Sequence, residues 1–407
     1  MENKTIEIVK MCILTVGLCI SSVGCKNNAD KVSKEGMRMS PLYTTSLGTG
    51  SGRNCAESEN GFYWLKREKT TGITTIMFYD NEKKESNILC NRPSCTHDTG
   101  QCAAVLQGDW NSIAYWNDHL YFIADKMKYE NDKWILEKER VLWRADATGE
   151  KREELYTVDL PDTQAEEGAV QSTGYSINSY GFGDGYLIAR IMKEIENKDR
   201  NELQSTDCLM AFPVEGSLKE AITLETYDDS DSSGAVFLCA TENTIYLYDS
   251  EKKEVIQVVV PVTKEETTEK KTTVEKWNVE GLMGAAVIDK ALYFYAEGRG
   301  VFKWNDNENE PVCLIEDEGW DTPCVLWNEN GIVVQDLSAS DNFEGNAFRC
   351  YDLNGTAQSE WISVPGMVAV WEYQKDGVFL EDRTKGIYYF AELEKMKNGE
   401  NELQILE

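Results

Sequence analysis

The chain has 407 residues, of which 41% are hydrophobic and 10% aromatic, enough apolar material for a sizeable core and too much for disorder of the whole chain. With 71 acidic residues against 41 basic ones the formal charge is −30, which excludes nucleic acid as a partner, since polyanion binding needs basic surface. Only 8 prolines and 30 glycines are present, so collagen-like and proline-rich architectures drop out.

Residues 1–24 have the layout of an export signal. Lys4 and Lys10 make a thin positive end diluted by Glu2 and Glu7, and Met11 to Ile20 form an apolar run too short to span a bilayer. Ser22-Val23-Gly24-Cys25 follows, similar to a bacterial lipobox, in which small residues admit the signal peptidase and the cysteine thiol takes the lipid. Ser22 stands where such boxes usually carry Leu, and the competing expectation is an ordinary secretion signal cleaved nearby. This end therefore predicts lipidation at Cys25, a flexible polar tether over 25–50, and a folded domain over 51–407, anchored to the extracytoplasmic face of the cell membrane.

Beyond the tether one pattern keeps returning. A short apolar strand leads through Asn, Asp, Gly or Lys into a strand rich in Tyr and Phe. The Tyr- and Phe-rich strands centre on Tyr63, Tyr121, Leu187, Tyr246, Tyr293, Val333 and Phe379, at intervals of 40 to 66 residues. Asn330-Gly331 and Asp376-Gly377, lying between alternating apolar runs, are read as hairpin signals, the Asn-Gly and Asp-Gly pairs being favoured where turn residues need positive φ. A second hairpin follows in most units, as in Val141–Arg144 running through Asp146-Ala147-Thr148-Gly149 into Glu154-Leu155-Tyr156. Each unit is a four-stranded meander that cannot keep both faces dry alone, so several must stack around an axis. The expected fold is all-β, a β-propeller of about seven four-stranded blades, with six or eight as the neighbouring counts. The charged stretches Lys126 to Glu139, Lys193 to Gln204 and Lys264 to Lys276 lack the apolar stripe of a packed helix and predict long solvated hairpins.

The densest chemistry is Cys90-Asn-Arg-Pro-Ser-Cys95-Thr-His97-Asp-Thr-Gly-Gln-Cys102, between the first and second units. Three thiols and an imidazole in so short a span suit a Cys3His structural zinc site, with Cys90, Cys95, His97 and Cys102 as ligands. A local disulfide with one thiol left over is the competing reading in an oxidising compartment, and reduced packed thiols a third. The other six cysteines of the folded region read as small core residues. The same run resembles a segment of β-propeller lipoproteins of unknown function from Gram-positive anaerobes, which carry Cys-x-x-Pro-x-Cys-x-His and a further Cys. Cys90, Pro93, Cys95, His97 and Cys102 match that pattern, and Cys25 matches their anchor. The resemblance implies a propeller at the cell surface and no established substrate or reaction.

Catalytic signatures are scarce. His97 belongs to the cysteine cluster and His119 to an Asn117-Asp118 turn, so a Ser–His–Asp triad has almost no candidate base. No nucleophile elbow, phosphate-binding loop or dinucleotide fingerprint is present. The acidic runs Tyr227 to Asp231 and Asn305 to Glu308 lack the spacing of a calcium loop and read as solvated turns. Trp110, Trp277 and Trp320 fall near strand ends and are the aromatic candidates for an exposed binding rim. The sequence thus predicts a non-enzymatic surface lipoprotein that binds or scaffolds an envelope protein, a peptide or a glycan through a propeller face. The alternative is a carbohydrate-active hydrolase or lyase using acidic residues at the central channel.

Overall fold

In a computed structural model of the chain, the described residues are 55–68, 73–98, 102–107, 112–130, 133–159, 171–183, 185–197, 202–214, 221–227, 236–241, 244–249, 252–259, 270–279, 281–305, 307–320, 323–336, 346–364, 368–382 and 384–406. The export signal, Cys25, the tether and Trp110 lie outside them.

These residues form an all-β propeller. Seven antiparallel sheets follow one another along the chain, each built from consecutive strands paired neighbour to neighbour. We number the blades 1 to 7: they run from Cys55 to Leu106, Ser112 to Asp159, Gln171 to Tyr227, Val236 to Asn278, Leu282 to Glu316, Cys324 to Ser363 and Val368 to Leu406. Every Tyr- or Phe-rich segment picked out by the repeat is the second strand of its sheet, from Gly61–Arg67 in blade 1 to Gly377–Asp382 in blade 7. First strands line up around the ring. That of blade 1 (Cys55–Ser58) touches that of blade 2 (Ser112–Trp116) on one side and that of blade 7 (Val368–Gln374) on the other.

The second strands are aromatic because they are covered on both faces. Successive residues of a strand point to opposite sides. Phe62 and Trp64 therefore pack with Phe379, Tyr388 and Phe390 of blade 7, while Tyr63 and Leu65 pack with Ile113, Leu120 and Phe122 of blade 2. Each such ring contributes on the order of 2–3 kcal/mol by leaving water, and the contribution exists only when the neighbouring blade is in place.

The long units owe their length to extended hairpins. The strands His119–Glu130 and Lys133–Asp146 stay paired out to Glu130 and Lys133, and Tyr186–Asn197 pairs with Glu202–Pro213 out to Asn197 and Glu202. In blade 4, Lys270–Asn278 is the outermost strand, and residues 261–269 lie outside the described ones.

Among the described residues no strand is shared between blade 1 and blade 7, so side chains close the ring. Phe62 lies 4.9 Å from the ring of Phe390, and Trp64 lies 4.7 Å from that of Tyr388. The Tyr79 hydroxyl donates to Gln404 Oε1 at 2.9 Å, and Gln374 Nε2 donates to the sulfur of Cys55 at 2.6 Å. The only helix among the described residues (Leu393–Lys397) sits between the third and fourth strands of blade 7, held down by buried Leu393 and Met396.

Candidate metal centre

The segment 89–107 leaves blade 1 after its fourth strand (Glu85–Ile88) and returns to it. Cys90 N–H donates to the carbonyl of Ile88 at 2.7 Å, and Ser94 and His97 adopt positive φ of 63° and 54°, folding the run Cys90–Cys102 back on itself. Val105–Leu106 then pairs with the third strand (Thr74–Asp80), giving blade 1 a fifth strand that the sequence pattern did not reveal. A pairing of two residues is too short to carry a period.

The fold brings together all four residues singled out from the sequence. The donor atoms of Cys90, Cys95, His97 and Cys102 lie within 4.8 Å of one another, and His97 Nδ1 is 3.3 Å from Cys102 Sγ. A tetrahedral ion with Zn–S bonds of about 2.3 Å needs donors about 3.8 Å apart, so this cluster can hold a metal ion after sub-ångström adjustment. Cys90, Cys95 and Cys102 are free thiols in this structure. Pairing any two would strand the third beside an imidazole, whereas one ion engages all four.

The surroundings suit sulfur that carries negative charge. Cys102 accepts from the backbone N–H of Ala104 at 3.4 Å, and Cys95 accepts from the backbone N–H of His97. Each thus has an amide two residues on aimed at its sulfur. His97's amide lowers the Cys95 thiol below its ordinary value, with Arg92 acting in the same direction. Burial pushes the Cys102 thiol up to about 12, so a lone thiolate there is costly without a cation.

Blade 2 supplies that side of the centre. Arg152 donates to the carbonyls of Ala103 and Val105 (Nη1 to Val105 O, 3.1 Å) and to its own turn at Gly149 (3.3 Å). Burial lowers its guanidinium to about 10, which still leaves it charged at neutral pH, and the Cys102 sulfur opposes that drop. Gly149, at φ +76°, presents bare backbone to the loop: a Cβ there would meet Ala103 O and the Leu89 side chain at 3.0 Å. The loop is thereby docked on the next blade as well as on its own.

Other predicted candidates fare differently. His119 Nδ1 lies 2.6 Å from its own turn at Asn117 O. Trp320 is half-buried against the ring of Tyr295 at 6.2 Å rather than standing free at a rim, and the side chain of Trp277 lies outside the described residues. Cys55, Cys324 and Cys350 are core residues, but Cys313 is exposed. It sits in the outermost strand of blade 5 (Val312–Glu316), which no further strand covers among the described residues. Asp228 to Asp231 lie outside the described residues, and Asn305 to Glu308 close a turn through Trp304 Nε1 donating to Glu308 O at 3.1 Å. One carboxyl that the sequence reading passed over is unusual. Glu57, in the first strand of blade 1, has its carboxyl raised to about 7 by burial, with Asp376 and Glu329 adding to the rise. Only its inner-strand position hinted at this.

No protein-family model matches the sequence, and no curated protein matches it. Solved structures align with the chain at low identity. The computationally designed Ika8 protein aligns over 91% of this chain and 99% of its own at 10% identity and a TM-score of 0.40. YCF48 from Cyanidioschyzon merolae aligns over 83% and 95% at 10% identity and 0.40. An oligogalacturonate lyase from Vibrio parahaemolyticus aligns over 88% and 91% at 10% identity and 0.41.

Proposed function

We propose that this chain is a lipid-anchored binding module on the extracytoplasmic face of a bacterial membrane. In this reading a structural zinc ion staples the loop between blades 1 and 2, and a propeller face receives a protein, peptide or glycan. The carrying observation is the four-donor set. Three thiols and one imidazole fill a tetrahedral zinc shell and leave no position for water or substrate, so the metal holds the scaffold rather than performing chemistry. Zinc suits the donors because thiolate and imidazole are its preferred ligands and a divalent charge offsets the burial of Cys102. When bound it would supply folding energy to a loop that has few apolar residues of its own.

The test has two arms. Metal analysis of purified protein should give one zinc per chain, with free thiols appearing on chelation; zinc-free protein with Cys90, Cys95 or Cys102 in a disulfide overturns the staple. Detergent phase partition of the full chain expressed in a Gram-positive host should place it with lipid, and Cys25→Ala should release it to the medium. Partition unchanged by that substitution rejects the anchor.

Glu57 favours a second reading. A carboxyl poised near pH 7 on an inner strand, beside Asp376 and Glu329, has the property a glycoside-cleaving general acid needs. Hydrolysis of a glycan that disappears in Glu57→Gln while the glycan still binds would establish the enzyme.

A further inference from the structure

We propose that the Cys3His cluster is a redox switch, in which an oxidant of the peroxide class joins Cys90 to Cys95 and the staple opens. The inference rests on the zinc-staple reading. It makes the two readings that compete in the sequence, metal site and local disulfide, two states of one site.

The four donors are not equivalent. Cys102 is 1% exposed and packs with Ala104 and Val105, whereas Cys90 and Cys95 are half-buried at the rim of that cluster, beside Ile73 and Leu89. Cys102 Sγ is also held on two sides, by the amide of Ala104 at 3.4 Å and by His97 Nδ1 at 3.3 Å. An oxidant arriving from solvent therefore meets Cys90 and Cys95 first. These two belong to one turn. Cys95 N–H donates to the carbonyl of Arg92 at 3.3 Å, and Ser94 at φ 63° turns the chain back between them. Their sulfurs lie within 4.8 Å of each other. An S–S bond of about 2.05 Å thus needs a further approach of at most about 2.8 Å.

The reaction balances on the chain's own thiolates. One of the pair attacks an oxygen of hydrogen peroxide, the O–O bond breaks, and a sulfenic acid and a hydroxide result. The other thiolate attacks that sulfur, forming the S–S bond and expelling a second hydroxide. Two electrons pass from sulfur to oxygen, and two protons turn the hydroxides into water. Cys102 and His97 are too few donors for a tetrahedral ion, so zinc departs and Cys102 takes up a proton. A dithiol reductant reverses the step. All four ligands lie outside the strands, so the sheets keep their pairings. What loosens is the run from Cys90 to Cys102, which ends against the carbonyls that Arg152 of blade 2 grips.

The experiment takes the full chain with Cys313→Ser, which removes an exposed thiol elsewhere, purified with its thiols reduced and its zinc bound. Hydrogen peroxide should release one zinc per chain to a colorimetric chelator. Peptide mapping should then find Cys90 joined to Cys95 with Cys102 reduced, and dithiothreitol with added zinc should restore the starting state. Amide exchange over 89–104 should rise about tenfold or more on oxidation, with the strands Ser112–Trp116 and Cys324–Asn328 unchanged. Cys95→His keeps four donors but removes one partner of the disulfide, so its zinc should be released about tenfold more slowly or less readily still. Mapping of the parent decides the pair even where that variant binds no zinc. Protein that holds no zinc overturns staple and switch together. Protein that keeps its zinc under peroxide, or loses it without a disulfide, or forms one through Cys102, overturns the switch and leaves the staple standing.

Discussion

The guanidinium of Arg152 lies 5.0 Å over the ring of Phe122, which fixes a cation of blade 2 behind the thiols of a loop that belongs to blade 1. Arg152 is thereby a positioning residue for the Cys3His cluster, holding the carbonyls of Ala103 and Val105 on either side of Ala104, whose amide reaches Cys102. Arg152→Met should weaken zinc retention in a chelator competition by about tenfold or more, the usual range for an outer-shell partner. Arg152→Lys should recover only part of the loss, because an ammonium cannot span two carbonyls as a planar fork does.

Metal removal should cost folding free energy. A site held at ~1,000 times its dissociation constant contributes about 4 kcal/mol by mass action. Chelation is expected to lower the thermal midpoint, and Cys102→Ser should show the lower midpoint with or without added zinc. A chelator-insensitive midpoint in protein that has released its zinc would mean the ion does not support the fold.

Glu57 predicts a pH effect of definite sign. Its folded value, about 7, lies above the ordinary 4.5, so the folded state binds more protons between those values. Stability should therefore decline as pH rises from about 4.5 to about 7 and level off beyond, by on the order of 1–3 kcal/mol. Glu57→Gln keeps the shape without the charge, so it should flatten that decline and be more stable than the parent at pH 8. Urea unfolding at several pH values reads both.

The seam between blades 1 and 7 is held by side chains, so its variants should be severe relative to their size. Phe390→Ala removes a ring that packs on both Phe62 and Tyr79 and should cost about 3–5 kcal/mol. Tyr79→Phe loses only the bond to Gln404 and should cost about 1 kcal/mol. Hydrogen exchange in the strands Cys55–Ser58 and Val368–Gln374 should accelerate in Phe390→Ala before other first strands respond.

Gly149→Ala probes the docking of the metal loop. At φ +76° with two contacts at 3.0 Å, an added methyl should cost about 1–3 kcal/mol and loosen the cluster. Thiol reactivity of Cys90 and Cys95 should rise in this variant; unchanged reactivity would separate the loop from its neighbour blade.

The propeller was legible because its second strands are sandwiched between blades and so read as Tyr- and Phe-rich runs, with turn residues marking each unit. The Cys3His cluster was legible because its four residues are close in sequence. Arg152 was not, since its role arises only when a turn 50 residues after Cys102 is laid against the loop. Cys313 misled for the opposite reason: an apolar-looking strand at the outer edge of a blade has no neighbour to bury it.

A ring in which every sheet is spun from one uninterrupted stretch of chain has no privileged starting point. Cys55 and Leu406, at the two ends of the described propeller, already share a packed cluster. A short bridge between them, with the chain reopened between Tyr227 and Val236, would preserve each strand pairing while moving the attachment point to another sector of the disc. Where the chain enters and leaves the ring is therefore separable from how it folds, and circular permutants would let the two be varied independently.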